Sequence, residues 1–142
     1  MKIAIFLDVD KTVTERNIQE TYAVELGILE VYQKIEQDFQ DLRINSVGFG
    51  ERLIPEFAKQ GFTRARAEEL FDQVNLRSGI EKLFTWGQKG VDIFLVSSGP
   101  NYYVEHLAAK QNIIKEHVLC SQYLFDSKGV ISKCFAIEDR PR

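Results

Sequence analysis

Residues Ile3-Ala4-Ile5-Phe6-Leu7-Asp8-Val9-Asp10-Lys11-Thr12-Val13-Thr14 govern what the rest of the chain can become. Five apolar residues in a row, β-branched and aromatic among them, end abruptly in a carboxylate. A short continuous apolar run reads as a strand buried on both faces, the habit of a parallel sheet. In open α/β sheets, reactive groups gather in the crevice beyond the carboxyl ends of the strands. Asp8 and Asp10 stand at that end, and strand alternation puts both on one face with Val9 pointing away. Two carboxylates so close can share a hard divalent cation, which prefers oxygen ligands and relieves their repulsion.

The remaining composition is that of a globular protein. A chain of 142 residues makes one domain with room for a small insert and can bury a real core. With a formal net charge of -3, it shows no electrostatic footprint for nucleic acid or for an anionic membrane. No apolar run reaches the length of a membrane span, and Met1-Lys2 leads into a strand, not a signal peptide. Cys120 and Cys134 are therefore expected as reduced thiols in a cytoplasmic protein.

After Thr14 the apolar spacing changes from strand-like to helical. Ile18, Tyr22 and Leu26 mark one helix, with a break at Gly27. Leu29, Tyr32, Ile35 or Glu36, Phe39 and Leu42 mark a second. A third runs from Phe49 to Lys59 after the flexible Val47-Gly48-Phe49-Gly50, contains Pro55 and closes at Gly61. Thr63 is the expected N-cap of a fourth, whose inner face is Ala67, Leu70, Phe71 and Val74. Residues 15–76 thus read as a helical module inserted after the first strand, with 1–14 and 77–142 as the core that carries it.

Ser78-Gly79-Ile80-Glu81 has the form of a capping box opening a helix that ends near Gly87 to Gly90. Val91 to Val96 is the second buried strand. It runs into the turn Ser97-Ser98-Gly99-Pro100-Asn101 and then a helix burying Tyr103, Val104, Leu107 and Ala108. Hydroxyls, a glycine and free amides at a helix N-terminus suit a phosphate, although Ser-Ser-Gly-Pro alone is an ordinary turn. Val118 to Ser121 reads as a third strand. Two further runs around Asp126-Ser127-Lys128-Gly129 form a hairpin. If Phe125 pairs with Val130, Cys120 and Cys134 lie diagonally across the ribbon.

The D-x-D-x-T sequence of Asp8, Asp10 and Thr12 after an apolar strand resembles the first signature of the haloacid dehalogenase (HAD) superfamily, chiefly phosphatases and other phosphotransferases. An apolar strand ending in Ser97 resembles the second. The helical insert between them resembles the cap of the phosphoserine phosphatase-like branch. The resemblance implies a Rossmann-like α/β core, incomplete in this chain, and Mg²⁺-dependent hydrolysis of a small phosphorylated metabolite. It makes Asp8 the nucleophile that forms an aspartyl-phosphate and Asp10 the general acid and base. Mg²⁺ is implied on an Asp8 oxygen and the Asp10 backbone carbonyl. Thr12 orients Asp10, and Val9, Thr12, Ser97 and Ser98 serve the phosphate. Dehalogenases lack an acid two residues after the nucleophile, so Asp10 favours phosphoryl transfer.

Two departures qualify that resemblance. Phosphoserine phosphatases place a substrate-binding Glu nine residues after the nucleophile; here Asn17 stands there, with Glu15 and Glu20 off register. Arg43 and Arg52 are candidate contacts for an anionic substrate, though surface arginines on helices are commoner. The family's lysine and final acidic pair have no clear counterpart either. Glu138-Asp139 resembles that pair, and Lys128 and Lys133 are available. However, the hairpin occupies the segment where a parallel crossover is needed. The expectation is a fragment, a truncated form or a degenerate member, with an open sheet edge covered by a homodimer. A non-catalytic phosphate-binding or regulatory module is the alternative function. A dinucleotide-binding domain is disfavoured because no G-x-G-x-x-G follows the first strand.

Overall fold

Three strands pair in parallel and a fourth turns back antiparallel, in the order β1 (Ala4–Leu7), β2 (Asp92–Pro100), β3 (Val118–Phe125) and β4 (Ile131–Phe135). These come from a computed structural model that describes residues 2–135; Glu138 and Asp139 lie outside the described residues. Between β1 and β2 run α1 (Ile18–Glu25), α2 (Leu29–Gln40), α3 (Ser46–Lys59), α4 (Arg64–Phe71) and α5 (Ile80–Gly87). Helix α6 (Asn101–Lys110) and one 3-10 turn (Lys115–His117) connect β2 to β3. Among the described residues, no helix is long and apolar enough to cross a membrane.

The register of β1 against β2 runs from Ala4 opposite Asp92 to Leu7 opposite Leu95. Alternation then sorts the sheet into two faces. Ile93 and Leu95 face the core; Phe6, Phe94, Val96 and Leu119 face the other way. On that second face Phe6 stacks on Phe94 at 4.8 Å yet stays 66% exposed. β1 is therefore not buried on both faces, as its apolar run suggests. Among the described residues it is an edge strand with a neighbour on one side only, and no described helix covers its outer face.

Strand β2 also outruns expectation. It continues through Pro100 and passes directly into α6, so Ser97 to Pro100 is strand and not turn. The pairing with β3 slips there: Val96 sits opposite Leu119, but Pro100 sits opposite Ser121. Four steps of β2 match two of β3, and such a bulge re-aims side chains at a strand end.

The insert leaves and re-enters the core at one place. Thr14 bridges Leu76, the Glu15 amide donates to the Asn75 carbonyl at 3.2 Å, and the Arg77 amide donates to the Val13 carbonyl at 2.9 Å. Asn17 caps α1 by accepting from the Glu20 amide at 3.0 Å, and Thr63 caps α4 by accepting from the Arg66 amide at 3.2 Å. Gly27 breaks α1 from α2 with φ 71°. Leu42, read as part of the apolar face of α2, is 89% exposed with φ 57°, beyond the end of that helix. Val47 to Gly50 is helical, because Asn45 accepts from the Gly48 amide at 2.9 Å and starts α3 early. Gly50 lets α3 press on the hairpin: an added Cβ would lie 2.9 Å from Tyr123 Oη and collide with Cys134 Sγ. The capping box at Ser78 does not form. Gly79, with φ 86°, precedes α5 and no side chain caps it.

One aromatic cluster joins insert and sheet. Tyr22 meets Phe62 at 5.6 Å, Phe62 meets Tyr102 at 5.4 Å, and Tyr102 meets Tyr123 at 5.5 Å, all tilted or edge-on as aromatic quadrupoles prefer. The hairpin turn forms at the expected residues, with the Asp126 carboxylate accepting from the Lys128 and Val130 amides at 2.8 and 3.0 Å. Its register differs. Phe125 pairs with Ile131 and Tyr123 with Cys134, so Cys120 stands three residues from the position opposite Cys134.

Candidate active site

Beyond Leu7 the chain coils tightly around one carbonyl. The Val9 oxygen accepts from the amides of Thr12, Val13 and Thr14 at 3.2, 2.9 and 3.0 Å, with Lys11 in the left-handed region at φ 61°. This coil ends strand alternation, and Asp8 and Asp10 part company. Asp8 stays exposed, and its Oδ2 accepts from Thr12 Oγ1 at 3.2 Å. Thr12 thus holds Asp8, not Asp10 as the resemblance implied, because the coil folds the threonine back onto the strand end. Val9 is fully buried.

Asp10 turns inward. Its Oδ1 accepts from the Ile18 amide at 2.7 Å, where α1 begins, and its Oδ2 accepts from Tyr103 Oη at 2.5 Å. Burial pushes its carboxyl above the ordinary aspartate value; the Tyr103 and Ile18 donors oppose that, and the Asp8 charge adds to it. A carboxyl that holds its proton more firmly than usual, yet keeps one hydrogen bond on each oxygen, suits a group that gives up and regains a proton.

At the end of β2 the two serines separate. Ser97 is 3% exposed, and its Oγ accepts from the Gly99 amide at 3.0 Å. Ser98 is exposed and lines the same cavity as Asp10. Asp10 and Ser98 thus line one cavity, while Ser97 is buried at the bulge in β2. Gly99 is required by close approach, since an added Cβ would lie 2.9 Å from Asp10 Oδ2, 2.7 Å from Tyr103 Cζ and against Tyr103 Oη. Ser121 Oγ donates to the Ser98 carbonyl at 2.7 Å and fixes this corner to β3. Helix α6 starts at once, its leading amides uncapped by any side chain.

The cavity measures about 260 Å³. Asp10, Ser98, Gly99 and Ser121 form its floor; Tyr32, Glu36, Phe39 and Phe49 of the helical insert form its roof. Asp8 and Ser97 are not among its lining residues, whereas Asn17 is. Asn17 Oδ1 accepts from the Glu20 amide and from Tyr32 Oη at 3.3 Å. Glu15 and Glu20 line an adjoining groove that shares Lys11 and Asn17 with the cavity. Arg43 and Arg52 lie elsewhere, paired with Asp38 at 3.2 and 2.7 Å. Lys128 and Lys133 are exposed on the hairpin.

Among the described residues, no three His, Cys, Asp or Glu side chains cluster as metal ligands. Two hard oxygen donors do suit Mg²⁺: the exposed Asp8 carboxylate and the Asp10 carbonyl, which accepts no backbone hydrogen bond among the described residues. Mg²⁺ commonly keeps several waters and takes only one or two carboxylates, so this donor set fits it.

Sequence reasoning missed Tyr103, read only as a core residue, and the α2 face Tyr32–Glu36–Phe39. A tyrosine in a core needs a partner for its hydroxyl, and that was the available signal. No protein-family model and no curated protein matches the chain. Solved structures do match. A HAD family hydrolase from Salmonella enterica subsp. enterica serovar Typhi superposes with TM-score 0.78 at 19% identity, covering 91% of this chain and 43% of that one. A substrate-bound phosphoserine phosphatase gives 0.71 at 15%, covering 96% and 63%. DsGPDH of Dunaliella salina gives 0.68 at 26%, covering 93% and 23%. The chain therefore spans less than two thirds of the length of these structures. In its α/β sheet and helices, this chain has the fold of the haloacid dehalogenase superfamily, in the form shared with phosphoserine phosphatases.

Proposed function

We propose that this chain carries the nucleophile and the acid–base group of a Mg²⁺-dependent phosphoric monoester hydrolase acting on a small phosphorylated metabolite. The observation that carries the reading is Asp10: half-buried, hydrogen-bonded on both oxygens, and sharing a cavity with Ser98 at the carboxyl ends of parallel strands in this fold. Asp8 is the nucleophile. A carboxylate oxygen of Asp8 attacks phosphorus, and the ester oxygen leaves with the proton of Asp10. The Asp10 carboxylate then takes a proton from the water that attacks the aspartyl-phosphate, which restores both groups. One group serving both halves contributes roughly 10²- to 10⁴-fold. Thr12 fixes the Asp8 carboxylate, while Ser98, the Val9 segment and the uncapped amides of α6 bind the phosphoryl oxygens. Asp8 and the Asp10 carbonyl would hold Mg²⁺, which would supply charge neutralisation between two anions.

Hydrolysis of p-nitrophenyl phosphate with and without Mg²⁺ tests this reading, together with the intact mass after acid quench. A phosphoryl adduct on the parent protein that Asp8→Asn abolishes is the expected result. Tight Mg²⁺-dependent binding of phosphate esters with neither adduct nor turnover would instead establish a non-catalytic phosphate-binding module.

A further inference from the structure

The backbone at Lys11 holds a conformation that favours glycine. Its φ is 61°, in the left-handed region, where a side chain is strained and glycine is not. Two contacts pin it there. The Lys11 amide donates to Thr14 Oγ1 at 3.3 Å, and Arg77 Nε donates to the Lys11 carbonyl at 3.0 Å. Thr14 is fully buried, so the coil cannot relax without disturbing the core. Residues held in sparsely populated backbone regions cluster at functional sites. The reaction proposed for this site gives Asp8, Asp10 and Thr12 of the same coil a task, and gives the Lys11 side chain none.

Among the described residues that line the cavity, Lys11 is the only lysine or arginine. Arg43 and Arg52 are held on the surface by Asp38, and Lys128 and Lys133 stand on the hairpin outside the lining. Two carboxylates, Asp10 on the floor and Glu36 on the roof, share the cavity with it. Burial raises both carboxyls above their ordinary values, and the Lys11 charge opposes that rise at each. The ammonium is thus within electrostatic reach of floor and roof alike. It is exposed, and among the described residues it makes no ion pair. A phosphate dianion entering beside Asp8, Asp10 and Glu36 meets repulsion from all three. A compact ammonium on a long stem is suited to offset it.

Resting on the phosphatase reading above, we infer that Lys11 is a substrate-binding residue whose ammonium meets the phosphoryl oxygens of the monoester at the Asp10 and Ser98 end of the cavity. Ser98 and the leading amides of α6 serve the phosphoryl group from β2, and Lys11 serves it from β1. The strained backbone, pinned by Thr14 and Arg77, is what keeps the lysine stem at the cavity.

Calorimetric titration of the full chain with inorganic phosphate, with and without Mg²⁺, tests this on the parent and three variants. Lys11→Met keeps an unbranched stem and removes the charge, so phosphate should bind at least about tenfold more weakly. Lys128→Met makes the same change of net charge on the exposed hairpin and should leave affinity within about twofold of the parent. Lys11→Gly removes the strain along with the charge: affinity should fall as it does for Met, while the urea midpoint stays level or rises. A merely structural lysine would give the opposite pattern, a lower midpoint with affinity held. Lys11→Met binding phosphate as tightly as the parent, Lys128→Met losing as much affinity as Lys11→Met, or Lys11→Gly losing stability while keeping affinity would each overturn the inference and leave the phosphatase reading standing. A parent that binds no phosphate, with Mg²⁺ or without it, would overturn both.

Discussion

Replacing Tyr103 by Phe isolates a single hydrogen bond. The ring packs parallel to Phe71 at 6.0 Å and is almost fully buried, and Phe keeps all of that contact. Only the hydroxyl that donates to Asp10 Oδ2 at 2.5 Å is lost. A hydrogen bond to a charged group contributes about 1.5–3 kcal/mol, a neutral one about 0.5–1.5 kcal/mol. Asp10 already binds its proton more tightly in the folded protein than the ordinary aspartate value, with burial the main cause. Its ionisation therefore lowers stability progressively as pH rises above that value, and without the Tyr103 donor the folded carboxyl holds its proton more firmly still. The difference between variant and parent should thus widen with pH. We expect about 0.5–1.5 kcal/mol near pH 2.5, where Asp10 is almost wholly protonated folded or unfolded, rising toward about 1.5–3 kcal/mol at pH 8. Urea unfolding in EDTA at both pH values measures it. In the parent's turnover, the pH profile of p-nitrophenyl phosphate hydrolysis should move upward in the variant. A penalty independent of pH would refute the reasoning, since it would mean the hydroxyl does not serve an ionising carboxylate.

Tyr102→Phe is the contrasting case: its fully buried hydroxyl lies against the neutral Gln19 side chain, so its loss should cost about 0.5–1.5 kcal/mol by urea unfolding, independent of pH. Gly50→Ala should cost about 1–3 kcal/mol in the same assay, because the new methyl collides with Cys134 and crowds Tyr123. Asp72, hydrogen-bonded by Lys110 at 2.6 Å and His106 at 2.8 Å, is held below the ordinary aspartate value by those two donors. Its contribution is present above the unfolded value and lost as pH falls through the folded one. The site is exposed, so Asp72→Asn should flatten the acid side of the stability profile by well under about 1 kcal/mol.

The helices were legible because their signals are local. Asn17 and Thr63 cap by hydrogen bonds within three residues, and Gly27 supplies the positive φ that separates α1 from α2. Ser78 and Glu81 carry the same kind of signal, but Gly79 in the left-handed region displaces the cap. The site was legible only by position. Asp8 and Asp10 at the end of β1, and two serines at the end of β2, were visible as letters. Which serine lines the cavity is set beside a four-against-two slip between β2 and β3, a long-range pairing that no window of residues contains. The Tyr103–Asp10 bond spans 93 positions and is hidden for the same reason.

The apolar run of β1 misled for a different reason, one that yields a further prediction. A pattern reports the burial a strand can accept; neighbours decide what it receives. Had β1 been covered on both faces, Phe6→Ala would cost about 3–5 kcal/mol. Within one copy of the described chain, Phe6 is mostly exposed and leans on Phe94, so the change should cost about 1 kcal/mol at high dilution. The open edge of β1 lies beside the apolar row of Phe6, Phe94, Val96 and Leu119, and such an edge invites a second copy of the chain. If two copies close over it, mass by sedimentation should rise with protein concentration, and the penalty of Phe6→Ala should rise in step, because association stabilises only the folded form. Phe6→Lys should restore the monomer. A monomer mass that holds across concentration would refute pairing at this edge and leave β1 as a tolerated, exposed apolar strand.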